Sequence, residues 1–149
     1  NMTKEIYLKF QEKFNLKYID VKTIGEDFFI ENKHLIDLNW CHISDQSNDF
    51  SNNFYEECKD YLYWWRISRW KKDIDNEFIH LFHDKIDWCD FIEYNESENI
   101  VNGYGLLVQY KESIKYEDFL KNYKYTLTYT QPRPNAKACY NTLKQIFDI

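Results

Sequence analysis

Apolar positions along this chain form a figure that returns every 24 residues. Trp40, Trp64 and Trp88 stand at that interval, and one interval earlier lies Leu16. Each anchor is followed three residues later by Ile19, Ile43, Ile67 or Phe91, and preceded two residues earlier by Phe14, Leu38, Leu62 or Ile86. Ten residues before the anchors stand Ile6, Ile30, Phe54 and Phe78; six before stand Phe10, His34, Cys58 and Phe82, with His34 the one polar exception. Steps of four keep side chains on one helical face, so Phe54, Cys58 and Leu62 form one stripe, and Phe78, Phe82 and Ile86 another. The following two-residue step breaks that phase, which predicts a second, shorter helix beginning at each anchor.

Start signals repeat at the same interval. Thr3, Asp27, Ser51 and Asp75 stand three residues before the first apolar position, where an oxygen can accept from free backbone N–H groups. Asn39 and Asp87 serve the second helices in the same way, as does Asn15, whereas Tyr63 is the odd member. Phe50 and Ile74 are placed to staple onto Tyr55 and Ile79. The expected unit is a pair of short helices at right angles, repeated four times over residues 2–94, each too small to bury its own face and completed by stacking. The predicted class is therefore mainly α: a short α-solenoid of four two-helix repeats.

In Phe78, Ile79, Phe82, Asp84, Lys85, Ile86, Asp87 and Trp88, in Asn39, Trp40, Ile43 and Ser44, and in Trp64, Ile67 and Ser68, the chain resembles a known repeat type. These are the tandem repeats of about 24 residues, with an aspartate- or asparagine-tryptophan core, found in proteins of phages and large DNA viruses. The resemblance covers residues 2–94 and implies an origin in a virus or mobile element; it brings no activity with it.

Residues 95–149 depart from the figure and are expected to form an irregular α+β cap. Asn95 to Asn102 is polar and, with Gly103 and Gly105, reads as a loop before Leu106, Leu107 and Val108. Tyr123, Tyr125, Leu127 and Tyr129 alternate with polar residues, the period of a half-buried strand. Phe119, Tyr123, Leu127 and Tyr129 also fit a diverged fifth unit, and both readings stand. After Pro132 and Pro134, Asn135 can cap a last helix with Cys139, Tyr140, Leu143, Ile146 and Phe147 on one face.

Composition agrees with helix. Hydrophobic residues make up 44% of the 149 and aromatics 19%, enough for a packed core, while three Gly and two Pro supply too few breakers for an all-β fold. A net charge of −6 argues against nucleic acid and anionic membranes and favours a basic protein partner. With no apolar run of membrane length and no charged-then-apolar leader, a cytoplasmic protein is expected, with Met2 as its natural start.

Chemistry is sparse. His80 and His83, with His34, Cys58 and Cys89 elsewhere, could suggest a metal, but no Cys-x-x-Cys pair accompanies them and His34, Cys58 and Phe82 share one interior register position. Cys41 and Cys89 lie two units apart, too far for a bond, so free thiols are expected and no metal or cofactor. No phosphate loop, Ser-His-Asp arrangement or nucleophile elbow is present. A small enzyme would have to draw on Tyr94, Glu96, Glu98 and His83.

The most unusual stretch runs from Trp64 to Lys72. The repeat accounts for Trp64 and Ile67 but not for Trp65, Arg66, Arg69 and Trp70, which Lys71 and Lys72 follow. Tryptophan and arginine are enriched where binding energy concentrates, so these six residues form the candidate partner surface. The rival reading has them filling gaps and pairing with nearby acids. The functional expectation is a non-enzymatic binding or inhibitory protein, such as a counter-defence inhibitor or toxin-neutralising partner. The alternatives are a nucleic-acid factor using stacking and phosphate contacts at this stretch, and a small enzyme.

Overall fold

A computed structural model of the chain describes residues 3–13, 20–35, 38–94, 108–114, 117, 141, 144, 145 and 147, with the backbone alone at 10–13, 89, 92 and 93. Among the described residues the chain is mainly helical and contains no strand. It divides into two compact units, Asn1–Ile74 and Asp75–Ile149. That division falls between Ile74 and Asp75, ahead of the boundary at residue 94 that the change of sequence pattern suggests. The readings of Leu16, of the strand at 123–129 and of most of the last helix lie outside the described residues.

The first compact unit holds α1 (Lys4–Lys13), α2 (Val21–Ile24), α3 (Glu26–Glu31), α4 (Trp40–Gln46), α5 (Asn52–Cys58) and α6 (Trp64–Trp70). The second holds α7 (Asn76–Phe82) and α8 (Trp88–Tyr94). Helices α4, α6 and α8 begin at the three tryptophans, and α5 and α7 begin 24 residues apart. The caps explain these starts. Ser51 and Asp75 accept from the amides of Phe54 and Phe78, and Asn39 and Asp87 from those of His42 and Asp90. Thr3 does the same for Ile6 at α1.

Local chemistry shifts the register in three places. Asp27 does not cap α3: the helix starts at Glu26, two residues before the start that an Asp27 cap would set, after Gly25 at φ 90°, and Asp27 sits in its first turn. Asp20, unremarked in the repeat, caps the extra helix α2 through the amides of Lys22 and Thr23, and so sets where α3 can begin. Because α3 ends at Glu31, His34 falls in the following turn. It is exposed and shares a 2.6 Å hydrogen bond with the Tyr61 hydroxyl instead of joining the core. On α1 the side chain of Tyr7 is buried, packed on Phe28 at 5.0 Å between ring centroids, while Ile6 is exposed.

Within the first compact unit, α3 packs on α5 and α4 on α6. Phe28, Phe29, Ile43, Phe54, Tyr55, Cys58, Leu62 and Ile67 are buried there. Each large apolar side chain removed from water contributes roughly 1.5–3 kcal/mol. Phe50 packs edge-on against Phe54 at 4.7 Å, which makes Phe54 its stapling partner; Tyr55 turns inward and donates to the Ser47 carbonyl at 2.6 Å. Burial pushes the Tyr55 hydroxyl up to about 12 and the Cys58 thiol up to about 12.

Polar contacts cross the same seam. The buried Ser44 hydroxyl donates to the Trp40 carbonyl at 2.6 Å and accepts from the Tyr63 amide at 2.9 Å. Tyr63 has no capping side-chain bond of its own. Ser44 satisfies the amide of this N-cap residue itself, at the start of α6. On the surface Lys33 reaches Glu57, its equivalent one period later, at 3.0 Å.

In the second compact unit, Phe78, Ile79, Phe82, Ile86, Trp88 and Phe91 form the buried set with Tyr110 and Ile114. Trp88 donates from Nε1 to the His83 carbonyl at 2.9 Å, and Trp64 donates to Lys59 at 2.8 Å across the same five-residue span.

Candidate functional site

Helix α6 decides which of its side chains can face outward. Ile67 and Ser68 are buried and Trp64 is half-buried on its inner side. At about 100° per residue this turns Trp65, Arg66, Arg69 and Trp70 onto the opposite arc. Trp65 and Trp70 are 40% and 52% exposed, unusual for side chains that strongly favour burial. The guanidinium carbon of Arg66 lies 4.6 Å from the Trp65 ring centroid, and that of Arg69 lies 5.3 Å from it. At an exposed site each such contact contributes about 0.5–1 kcal/mol, enough to hold the indole in place without covering it.

The six candidate residues divide by what they touch. Arg66 pairs through Nη1 with Asp45 of α4, and both side chains keep less than a third of their exposure, at 27% and 29%. The remaining atoms Arg66 Nε and Asp45 Oδ1 are buried with no hydrogen-bond partner among the described residues. Lys71 donates to the Asn48 carbonyl at 2.8 Å and lies 5.3 Å from the Tyr55 ring centroid. Arg66 and Lys71 therefore help hold α6 on the segment from α4 to α5. Lys72 is exposed. Beside it Asp49 has its carboxyl held below the usual carboxylate range, first by the hydrogen bond from Lys22 and that residue's charge, with Lys71 and Lys72 adding to the effect.

The histidines singled out in the sequence engage hydroxyls. His80 Nδ1 lies 3.3 Å from the Tyr110 hydroxyl, and His83 Nδ1 lies 2.7 Å from Ser113 Oγ. The His83 ring stacks on Tyr110 at 5.0 Å, and Trp88 stacks on the same tyrosine at 5.9 Å. This pins the short 3₁₀ turn Lys111–Ser113 to α7 and α8. Among the described residues no group of three or more His, Cys, Asp or Glu could hold a metal ion, and Cys41 and Cys58 are free thiols. Tyr94 is half-buried, while Glu96 and Glu98 lie outside the described residues.

Two contributors carried only a faint signal in the sequence. Asp45 is 21 residues before Arg66, a spacing that becomes meaningful once α4 and α6 are known to pack side by side. Tyr110 lies beyond the repeat, so nothing in the period points to it. Compared with family models, curated proteins and solved structures, the chain matches none.

Proposed function

We propose that this chain is a non-enzymatic binding protein of viral or mobile-element origin that blocks or sequesters another protein. In this reading its four two-helix repeats form a short solenoid, and residues 95–149 cap it. The observation that carries the reading is the outer arc of α6, where Trp65 and Trp70 stand exposed with guanidinium groups over one indole. Ordering a tryptophan in advance lowers the entropic cost of docking it, as expected of an anchor residue. Trp65, Trp70, Arg69 and Lys72 would meet the partner directly; Arg66 and Lys71 would shape the surface from behind. The resemblance of the repeats to those of phage and large-virus proteins supports the proposed origin.

The test is capture from nuclease-treated host lysate by tagged protein, comparing wild type with Trp65→Ala and Trp70→Ala. Capture of a defined protein should fall by about thirtyfold in affinity for a truncated anchor, roughly 2 kcal/mol, with the melting temperature nearly unchanged. Undiminished capture by both variants would place the binding face elsewhere. Capture that vanishes on nuclease treatment would favour the nucleic-acid reading.

A further inference from the structure

A cavity of about 710 Å³ lies in the first compact unit, away from the outer arc of α6, lined by Ile6, Ile24, Gly25, Asp27, Phe28 and Glu31 among others. That volume is in the range of sites that take a side chain or small ligand. Phe28 is buried, Ile24 is half-buried, and Ile6 is left 42% exposed on the wall. Gly25 keeps another wall open: its φ of 90° suits glycine, and no atom lies within 4 Å of where a Cβ would stand.

The other lining residues are acidic. Asp27 and Glu31 are one helical turn apart on α3, both exposed, and neither has a hydrogen-bond or ion-pair partner among the described residues. Like charges four residues apart on a helix repel, so a cation placed between them relieves that repulsion. The site thus joins an apolar wall to a pair of exposed carboxylates with no cationic partner among the described residues, in a chain of net charge −6.

We infer that this cavity receives an arginine side chain of a protein partner, its aliphatic stem along Ile6, Ile24 and Phe28 and its guanidinium between Asp27 and Glu31. Long basic side chains bury their methylenes while keeping the charged head at a polar rim. Arginine suits the site better than lysine because its planar fork offers five donors, enough for two carboxylates together. The inference rests on the reading that the chain binds protein, but it concerns a different face from α6.

Amide chemical shifts of the full chain can be followed while titrating a blocked Ala-Arg-Ala tripeptide, its citrulline counterpart, and hexylamine. The arginine peptide should shift Ile24, Gly25 and Phe28 in particular and lose that effect in high salt, while the neutral citrulline peptide shifts none of them. Asp27→Asn with Glu31→Gln should weaken the peptide about tenfold or more, and Ile6→Trp, which fills the cavity, should do likewise at unchanged melting temperature. Equal binding of the citrulline peptide, or undiminished binding to the double variant, would overturn the assignment. Tighter binding of hexylamine than of the arginine peptide would also overturn it, in favour of a free amine ligand. If the peptide fails while Trp65→Ala still abolishes partner capture, the cavity assignment falls and the protein-binding reading stands.

Discussion

Replacing Arg66 by alanine should destabilise the protein even though arginine on a helix surface is ordinarily dispensable. The guanidinium pairs with Asp45 across the α4–α6 seam, and both side chains are more than two-thirds withdrawn from solvent. Exposed pairs contribute about 0.2–1 kcal/mol, whereas breaking a buried pair costs about 3–5 kcal/mol because a charge is left behind without its partner. A half-buried pair falls between these limits, and the already unpartnered Asp45 Oδ1 leaves the carboxylate no compensating bond among the described residues. We expect Arg66→Ala to cost about 1–2 kcal/mol, which for a chain of this length is a fall of about 2–8 °C in melting temperature. Asp45→Ala should cost a similar amount. The variant lacking both should be less impaired than the sum of the two, by about 1 kcal/mol of coupling, since neither charge is then stranded. The measurement is a double-mutant cycle by urea denaturation and thermal melting. Strict additivity, or an Arg66→Ala melting point within about 1 °C of wild type, would refute the structural role and return Arg66 to the binding surface.

Three further outcomes follow from the buried polar groups. Ser44→Ala should cost about 1 kcal/mol in denaturant titrations, because the Tyr63 amide loses the acceptor of a part-buried hydrogen bond; a change below about 0.5 kcal/mol, the usual reach of a surface substitution, would show that water replaces the hydroxyl. Burial raises Cys58 from an ordinary 9.0, and Tyr55 from 10.0, to about 12 in each case. Both groups are neutral below their unfolded values, so their contribution is complete below about pH 9 and is lost as pH rises toward 12. Melting temperature should therefore decline across that alkaline window, and Cys41 should alkylate well before Cys58. Comparable alkylation rates in the folded protein would contradict the burial argument.

Much of the local architecture is legible in the sequence because it depends on neighbours along the chain. The 24-residue interval locates the starts of α4, α6 and α8 at Trp40, Trp64 and Trp88, and Ser51, Asp75 and Asn39 mark helix beginnings, since a cap acts within three residues of itself. The composition of the Trp64–Lys72 stretch is enough to single out α6, and helical phase alone separates Ile67 from Trp65 and Trp70. What the interval does not convey is which residues from different turns of the chain meet. Asp20 and Gly25 displace the start of α3 by two residues and send Asp27 from cap to cavity rim; the early end of the helix at Glu31 puts His34 outside the core. Only the packing of α4 on α6 reveals that Arg66 belongs with Asp45 and that Ser44 supplies the acceptor for Tyr63. Periodicity reports the energetics of a single helix face, whereas the partners of a charge or an orphan amide are decided by which helices pack side by side.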